Sequence, residues 1–256
     1  MDPIPFIALA LGLGSIVGGN ALEGGSFDAL VQPTAALIVL GGTVSATWLA
    51  STNSELGALK RLLPRLIKKN GIDTHHVMEQ MVSLAADARK DGLLALESKL
   101  PTIENPFLRR GLRLLVDGTP PAQVVKLLEL DIEVYEHEYG RAGKVLETAG
   151  GFAPTIGIIG AVLGLIHVMH NLSDPSALGG GIAVAFVATV YGVGIANLIA
   201  LPIGMRLKKI VSEDAAGKQM ILTGIEIIAA GENPRHLEEA LSPYIDAHGG
   251  TKKAVA

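Results

Sequence analysis

The run TAGGFAPTIGIIGAVLGLIHVMHNLS (148–173) and, beyond Asp174, the run PSALGGGIAVAFVATVYGVGIANLIALPIGM (175–205) decide the fold, because neither contains an Asp, Glu, Lys or Arg. A helix takes roughly 20 residues to cross about 30 Å of hydrocarbon, and a charge stranded at that depth is costly, so each run is long and clean enough to span a bilayer. Two more such runs lie upstream, Pro3 to Leu22 and Ala29 to Ser54, while elsewhere the longest uncharged gap is eight residues. The expected fold is all-α: a polytopic membrane protein with four transmembrane helices and a helical cytoplasmic domain. Its parts are residues 1–54 (spans 1 and 2), 55–147 (a polar helical loop domain), 148–206 (spans 3 and 4) and 207–256 (a helical tail).

Orientation follows from the cations. All 21 Lys and Arg residues lie between Glu55 and Glu147 or after Met205. The positive-inside rule then places the central region, the tail and both termini in the cytoplasm, with Leu22 to Val31 and Asn171 to Leu178 as short outer loops. Basic and acidic residues balance in the central region and again in the tail, so the net charge of −4 comes from Asp2, Glu23, Asp28 and Asp174. No basic surplus remains for nucleic acid. The first run lacks both a basic leader and an Ala-x-Ala cleavage site, so it is expected to stay as a span. The chain has no Cys, which removes disulfide and thiolate chemistry.

The polar stretches read as helices. Val77, Met81, Leu84 and Ala88 recur at helical spacing up to a stop at Asp91-Gly92. Leu108, Leu112 and Leu115 make a second, shorter helix ending near Asp117-Gly118. Thr119-Pro120-Pro121 then suits the start of a third, whose stripe of Val124, Leu127, Leu128, Ile132 and Tyr135 leads toward the span beginning near Ala149, a long stalk entering the membrane. Glu23-Gly24-Gly25-Ser26 turns the first hairpin. Beyond the fourth span, Ile221, Ile225 and Ile228 predict another helix, Gly231-Glu232-Asn233-Pro234 a break before the next, and His248 to Ala256 a disordered end. His75-His76 reads as a solvated loop, lacking companion ligands.

Inside the spans the polar inventory is short: Thr155, Thr189, Asn197, His167 and His170, with Thr43, Ser45 and Thr47 in the second span. An ion pathway ordinarily needs an intramembrane carboxylate, and these spans hold none, so a second protein would have to bring it. Pro154 and Pro202 sit near the cytoplasmic ends of spans 3 and 4, and each removes a backbone hydrogen bond at which a helix can kink. Gly157, Gly160 or Ala161 and Gly164 mark one edge of span 3. Gly181, Ala185, Ala188, Gly192 and Ala196 mark one edge of span 4, a pattern that lets helices approach closely. No nucleophile with a base and no metal cluster can be assembled at this depth, so an enzyme is not expected. A small-molecule transporter would need a substrate site in these spans, and neither buried charges nor paired broken helices supply one.

Several segments carry a family resemblance: Ile38-Val39-Leu40-Gly41-Gly42, Ala88-Arg89-Lys90-Asp91-Gly92 through Leu96-Glu97, Leu114-Leu115-Val116-Asp117-Gly118, Ala153-Pro154 through Gly164, and Thr189 to Pro202. In this order, with this span layout, the chain resembles the flagellar stator A subunits, the proton-type MotA and sodium-type PomA group. The related ExbB/TolQ group usually has three spans and a different loop order. The resemblance implies five copies of this chain around two copies of a single-span B subunit, whose transmembrane helix carries the ion-binding aspartate. It implies that Thr189 faces that aspartate, with Ala161 and Thr155 along the ion pathway. Pro154 and Pro202 would couple protonation to movement of the cytoplasmic part, and Arg89, Lys90 and Glu97 would engage a rotor switch-complex protein. Sodium-type relatives resemble one another in having threonine at the position of Ala161 and an acidic residue at that of Gly151. The transported ion is therefore expected to be H+ rather than Na+, since a bare Na+ needs several oxygen ligands.

Overall fold

In the computed structural model, residues 3–67, 71–173 and 175–247 are described. The expected disordered end, His248 to Ala256, lies outside the described residues. Helix α1 (Ile4–Leu22) begins after Pro3, with a second proline in its first turn where no backbone donor is needed, and ends at Glu23. Gly24 then turns the chain at φ +82°, as the Glu23-Gly24-Gly25-Ser26 run predicts. Ser26 caps the short α2 (Phe27–Leu30), its side chain accepting from the Ala29 N–H. The second span is composite: α3 (Pro33–Ala36), a π-helical turn at Leu37–Gly41, and α4 (Gly42–Ala50).

The polar stretch opens on α5 (Asn53–Leu62), followed by a 3-10 turn at Leu63–Leu66. Helix α6 (Thr74–Asp91) stops at Gly92, whose φ of +81° suits glycine, and a 3-10 stretch follows at Leu93–Thr102. Asn105 caps α7 (Pro106–Val116) by accepting from the Phe107 and Leu108 N–H groups, and Asp117-Gly118 ends it. These stops agree with the sequence. Helix α8 (Pro121–His170) is then continuous for 50 residues, so the stalk and the third span are one helix. The fourth span comprises α9 (Pro175–Gly194), a π turn at Ile195–Ala200, and the start of α10 (Leu201–Ala229), with α11 (Pro234–Ala247) last. No strand occurs among the described residues. Four helical segments are long and apolar enough to cross a membrane.

Three features depart from the sequence reading. Ile221, Ile225 and Ile228 do not start a separate helix, because nothing between Leu201 and Ala229 breaks the one that leaves the fourth span. His75 and His76 occupy the exposed first turn of α6 rather than a loop, since Asp73 accepts from the His76 N–H and starts the helix ahead of them. The π turns also went unforeseen. At the second of them the cause is Pro202: its ring crowds the carbonyl four residues back, and the Leu201 N–H reaches five residues back to Ala196 O instead.

Two compact units emerge. One comprises Met1–Lys69 with Glu138–Lys209, the other Asn70–His137 with Ile210–Ala256. The second unit has a contiguous apolar core in which Met81, Leu96, Leu108, Leu128, Ile225 and Leu237 are sealed from solvent. Beside it the Tyr135 hydroxyl donates to Asp214 at 2.5 Å, and the Lys218 ammonium lies 3.2 Å from the Tyr135 ring centroid. The nearly buried Asp214 carboxylate thus has a donor, as burial of a charge requires.

In the first unit the helices of spans 3 and 4 touch through glycine. A Cβ added at Gly192 would stand 2.5 Å from Ala153 O and 3.2 Å from Pro154 Cα, and one at Gly157 would stand 2.8 Å from Ala188 O. These neighbours are backbone and cannot swing aside, so the close approach exists because the side chains are missing. The outer end of span 2 is fixed differently. Tyr191 Oη donates to Leu30 O at 2.5 Å and accepts from the Gln32 N–H at 3.2 Å, giving the phenol both partners and tying α9 to the chain entering α3.

Gly192→Ala is expected to lower the thermal midpoint of the solubilised protein through about 1–3 kcal/mol of overpacking. Gly14→Ala, where an added Cβ meets nothing within 4 Å, should leave it unchanged. A second prediction concerns α5. The Thr52 N–H, then its hydroxyl, hold the Glu55 carboxyl below its ordinary pKa, and Thr52 Oγ1 accepts from the Glu55 N–H in return. A carboxyl depressed on folding contributes stability that is present at neutral pH and lost as pH falls through its folded value. Amide hydrogen exchange along α5, corrected for its intrinsic pH dependence, should therefore quicken below about pH 4. Thr52→Ala should quicken it at pH 7 as well, by about 1 kcal/mol of protection.

Candidate ion-pathway site

The spans must place every polar group against a partner or on a surface that another molecule covers, since hydrocarbon supplies no hydrogen bonds. Thr155 follows Pro154 on α8, and its hydroxyl donates to Phe152 O at 2.8 Å, leaving the oxygen lone pairs on an exposed face. Thr189 on α9 is half-buried and donates to Ala185 O at 3.3 Å, a long bond that a better acceptor would displace. Asn197 likewise bonds back to Val193 O at 3.0 Å. Each hydroxyl or amide is parked on its own helix. Each keeps acceptor capacity toward the open side.

The glycine seam brings these groups together. A Cβ at Gly157 would lie 3.5 Å from Thr189 Cα, and Gly192 lies against Pro154, so Pro154, Gly157 and Thr189 occupy one stretch of the contact between α8 and α9, and Thr155 follows Pro154 on the exposed side of α8. Ala161 is half-buried one turn beyond Gly157. Pro202 is exposed, just after the π turn of the fourth span. Around the threonines the chain leaves an apolar face uncovered: Ile158, Ile159, Val162, Ile166, Val190 and Val193 are each 44–57% exposed. His170 closes one end of a shallow groove formed by Val162, Leu165, Ile166 and Met169. His167 is exposed, and its carbonyl accepts from the Asn171 amide at 2.8 Å.

The three charged candidates sit in the other unit. Arg89 and Lys90 are exposed in the last turn of α6, and Glu97 is exposed on the 3-10 stretch that follows Gly92. An ion pair between Lys99 and Asp87 ties that stretch back to α6, a brace the sequence reading did not single out. It also passed over Tyr191. A signal was available, because the one tyrosine of a largely apolar span needs somewhere to put its hydroxyl.

Comparison with known proteins fits this geometry. Residues 99–220 match the MotA/TolQ/ExbB proton channel family, and residues 6–92 match the Motility protein A N-terminal family. Motility protein A of Helicobacter pylori is 35% identical over 254 residues, covering 99% of this chain and 98% of the relative. The structure of C. jejuni MotAB superposes with a TM-score of 0.91 at 32% identity, covering 95% of this chain and 96% of that one. That of the flagellar MotAB stator complex from Bacillus subtilis gives 0.88 at 30%, covering 97% and 98%. Four spans, the third and fourth packed through glycine, together with similarity along almost the whole length, establish that the chain belongs to the MotA/TolQ/ExbB proton channel family, in its motility protein A branch.

Proposed function

We propose that this chain forms the ring of a proton-driven flagellar stator and converts proton flow into torque. As a member of that family it is an integral membrane stator subunit of the bacterial inner membrane. The observation that carries the finer reading is the pairing of two facts: the spans contain no carboxylate, and Thr155 together with Val190 and Val193 beside the half-buried Thr189 is left exposed by the chain's own helices. A site that positions hydroxyls but lacks an acid calls for an acid from outside. In the proposal a single-span B subunit supplies it as an intramembrane Asp, with five copies of this chain around it and both termini in the cytoplasm. That the solved relatives are MotAB complexes supports a B-type partner.

The chemistry is a cycle of neutralisation and release. A proton entering from the periplasm protonates the partner's carboxylate, and the hydrogen bond that the Thr189 hydroxyl donates to it loses its charge assistance. The weakened hold lets the ring step to its next position, and ionisation on the cytoplasmic side restores the bond. Pro154 and Pro202, where the helix ladders lack a donor, are the points at which the spans bend. Arg89, Lys90 and Glu97 form the exposed charged surface that grips an oppositely charged rotor protein.

Swimming of cells carrying this chain and its partner should persist with sodium removed and stop with a protonophore, in keeping with Ala161 and Gly151. Persistence under the protonophore together with arrest on sodium removal would reverse the choice of ion. Thr189→Val should slow swimming several-fold without changing the amount of protein in the membrane, and Thr189→Ser should restore most of the speed. Wild-type speed in the valine variant would remove Thr189 from the mechanism.

A further inference from the structure

Folding separates charges that the sequence leaves balanced. In the first unit, residues 51–69, 138–147 and 206–209 flank one end of spans 2, 3 and 4, and they hold ten Lys and Arg against three acids, Glu55, Glu138 and Glu147. The second unit holds the reverse, 11 Lys and Arg against 18 Asp and Glu. A basic collar therefore adjoins the spans, and the acids that balance it along the sequence belong to the other unit.

The stretch LGALKRLLPRLIKK (56–69), just after span 2, carries five of these cations and no acid. On α5 and the 3-10 turn behind it, Ala58 and Leu62 are buried while Lys60, Arg61, Leu63 and Pro64 are exposed, so cations share the open surface with an apolar side chain. A basic amphipathic segment of this kind suits the surface of a bilayer. Arg61 pairs with Glu138 at 3.1 Å, and Glu55 lies within electrostatic reach of Arg141 and Lys144, which sets α5 beside the last turns of α8 before its span. Lys208 of α10 joins them, since a Cβ added at Gly143 would stand 2.6 Å from its Cγ. Trp48 and Leu49, 67% and 91% exposed, end span 2 a few residues ahead of α5. An exposed indole at the end of a span marks the depth of the headgroup layer.

We propose that α5 and the adjoining turns of α8 and α10 bind the anionic headgroups of phospholipids at this end of the spans. Phosphate complements the collar in charge, and the headgroup layer is the partner that the spans themselves bring to that depth. Clusters of about four to eight Lys and Arg beside a span are enough to select anionic lipids. Arg61 and Lys208 each meet a carboxylate, Glu138 and Glu147, so the exposed Lys60 and Lys144 are the cations on which headgroup binding chiefly falls. The surface needs only the spans, whatever the chain drives.

Trp48 is the single tryptophan of the chain and serves as the probe. The full-length chain is reconstituted in an equal mixture of phosphatidylglycerol and phosphatidylcholine, with bromine on the acyl chains of one lipid or of the other. Brominated phosphatidylglycerol is expected to quench Trp48 with a several-fold higher association constant than brominated phosphatidylcholine. Lys60→Gln with Lys144→Gln should bring the two lipids toward parity, and Lys60→Arg with Lys144→Arg should keep the preference. Lys126→Gln with Arg235→Gln, which removes the same charge from exposed positions of the second unit, should keep it too. Inorganic phosphate should reduce it no more than chloride at equal ionic strength. Equal quenching by the two lipids in the unaltered chain overturns the proposal and leaves the collar to an acidic protein face. A preference untouched by the glutamine pair overturns it as well, and loss of the preference to phosphate alone would assign the surface to the free ion instead.

Discussion

Hydrocarbon offers no hydrogen bonds and no counter-charge, and nearly everything in this molecule answers to that. It forces the spans to be helical, because only a helix satisfies its backbone internally. It clears Asp, Glu, Lys and Arg from four long stretches and crowds them into the remainder of the chain. It also limits what the spans can do by themselves. With no acid at membrane depth, the hydroxyls of Thr155 and Thr189 can orient or solvate a charge without supplying one.

The same constraint governs how the spans hold together. Lipid gives apolar side chains no reason to leave it, so association rests on close packing and on a few polar links. Backbone-to-backbone approach at Gly157, Gly164 and Gly192 provides the first, and the Tyr191 bridge to Leu30 and Gln32 the second. In the polar unit the logic is that of any water-soluble protein. Leu, Ile and Met side chains fill a core, Asn105 and Asp73 cap helices, and the buried Asp214 is met by Tyr135.

Much of the candidate site was legible in the sequence because prolines and hydroxyls interrupt otherwise apolar spans, and small residues recur there at helix-neighbour spacing. Pro154, Thr155, Thr189 and the glycine edges were visible that way, and the structure brings Pro154, Thr189 and the glycines to one seam, with Thr155 exposed beside Pro154. Arg89, Lys90 and Glu97 were different. Charged residues on a solvated helix carry no mark of purpose, and they were singled out through resemblance to relatives. The Lys99 and Asp87 brace beside them was missed because its two ends are joined only after Gly92 reverses the chain.

By itself the sequence determined the number of spans, their ends and most helix stops, because charge exclusion, capping and glycine turns act over a few neighbouring residues. Tertiary structure alone decided which hydroxyls are covered and which are open, that Tyr191 finds its partners some 160 positions away, and that the fourth span widens into a π turn before Pro202. Those outcomes depend on the register between helices. Register is set by which glycine meets which backbone carbonyl, a matter of distances across the bundle that no local pattern encodes.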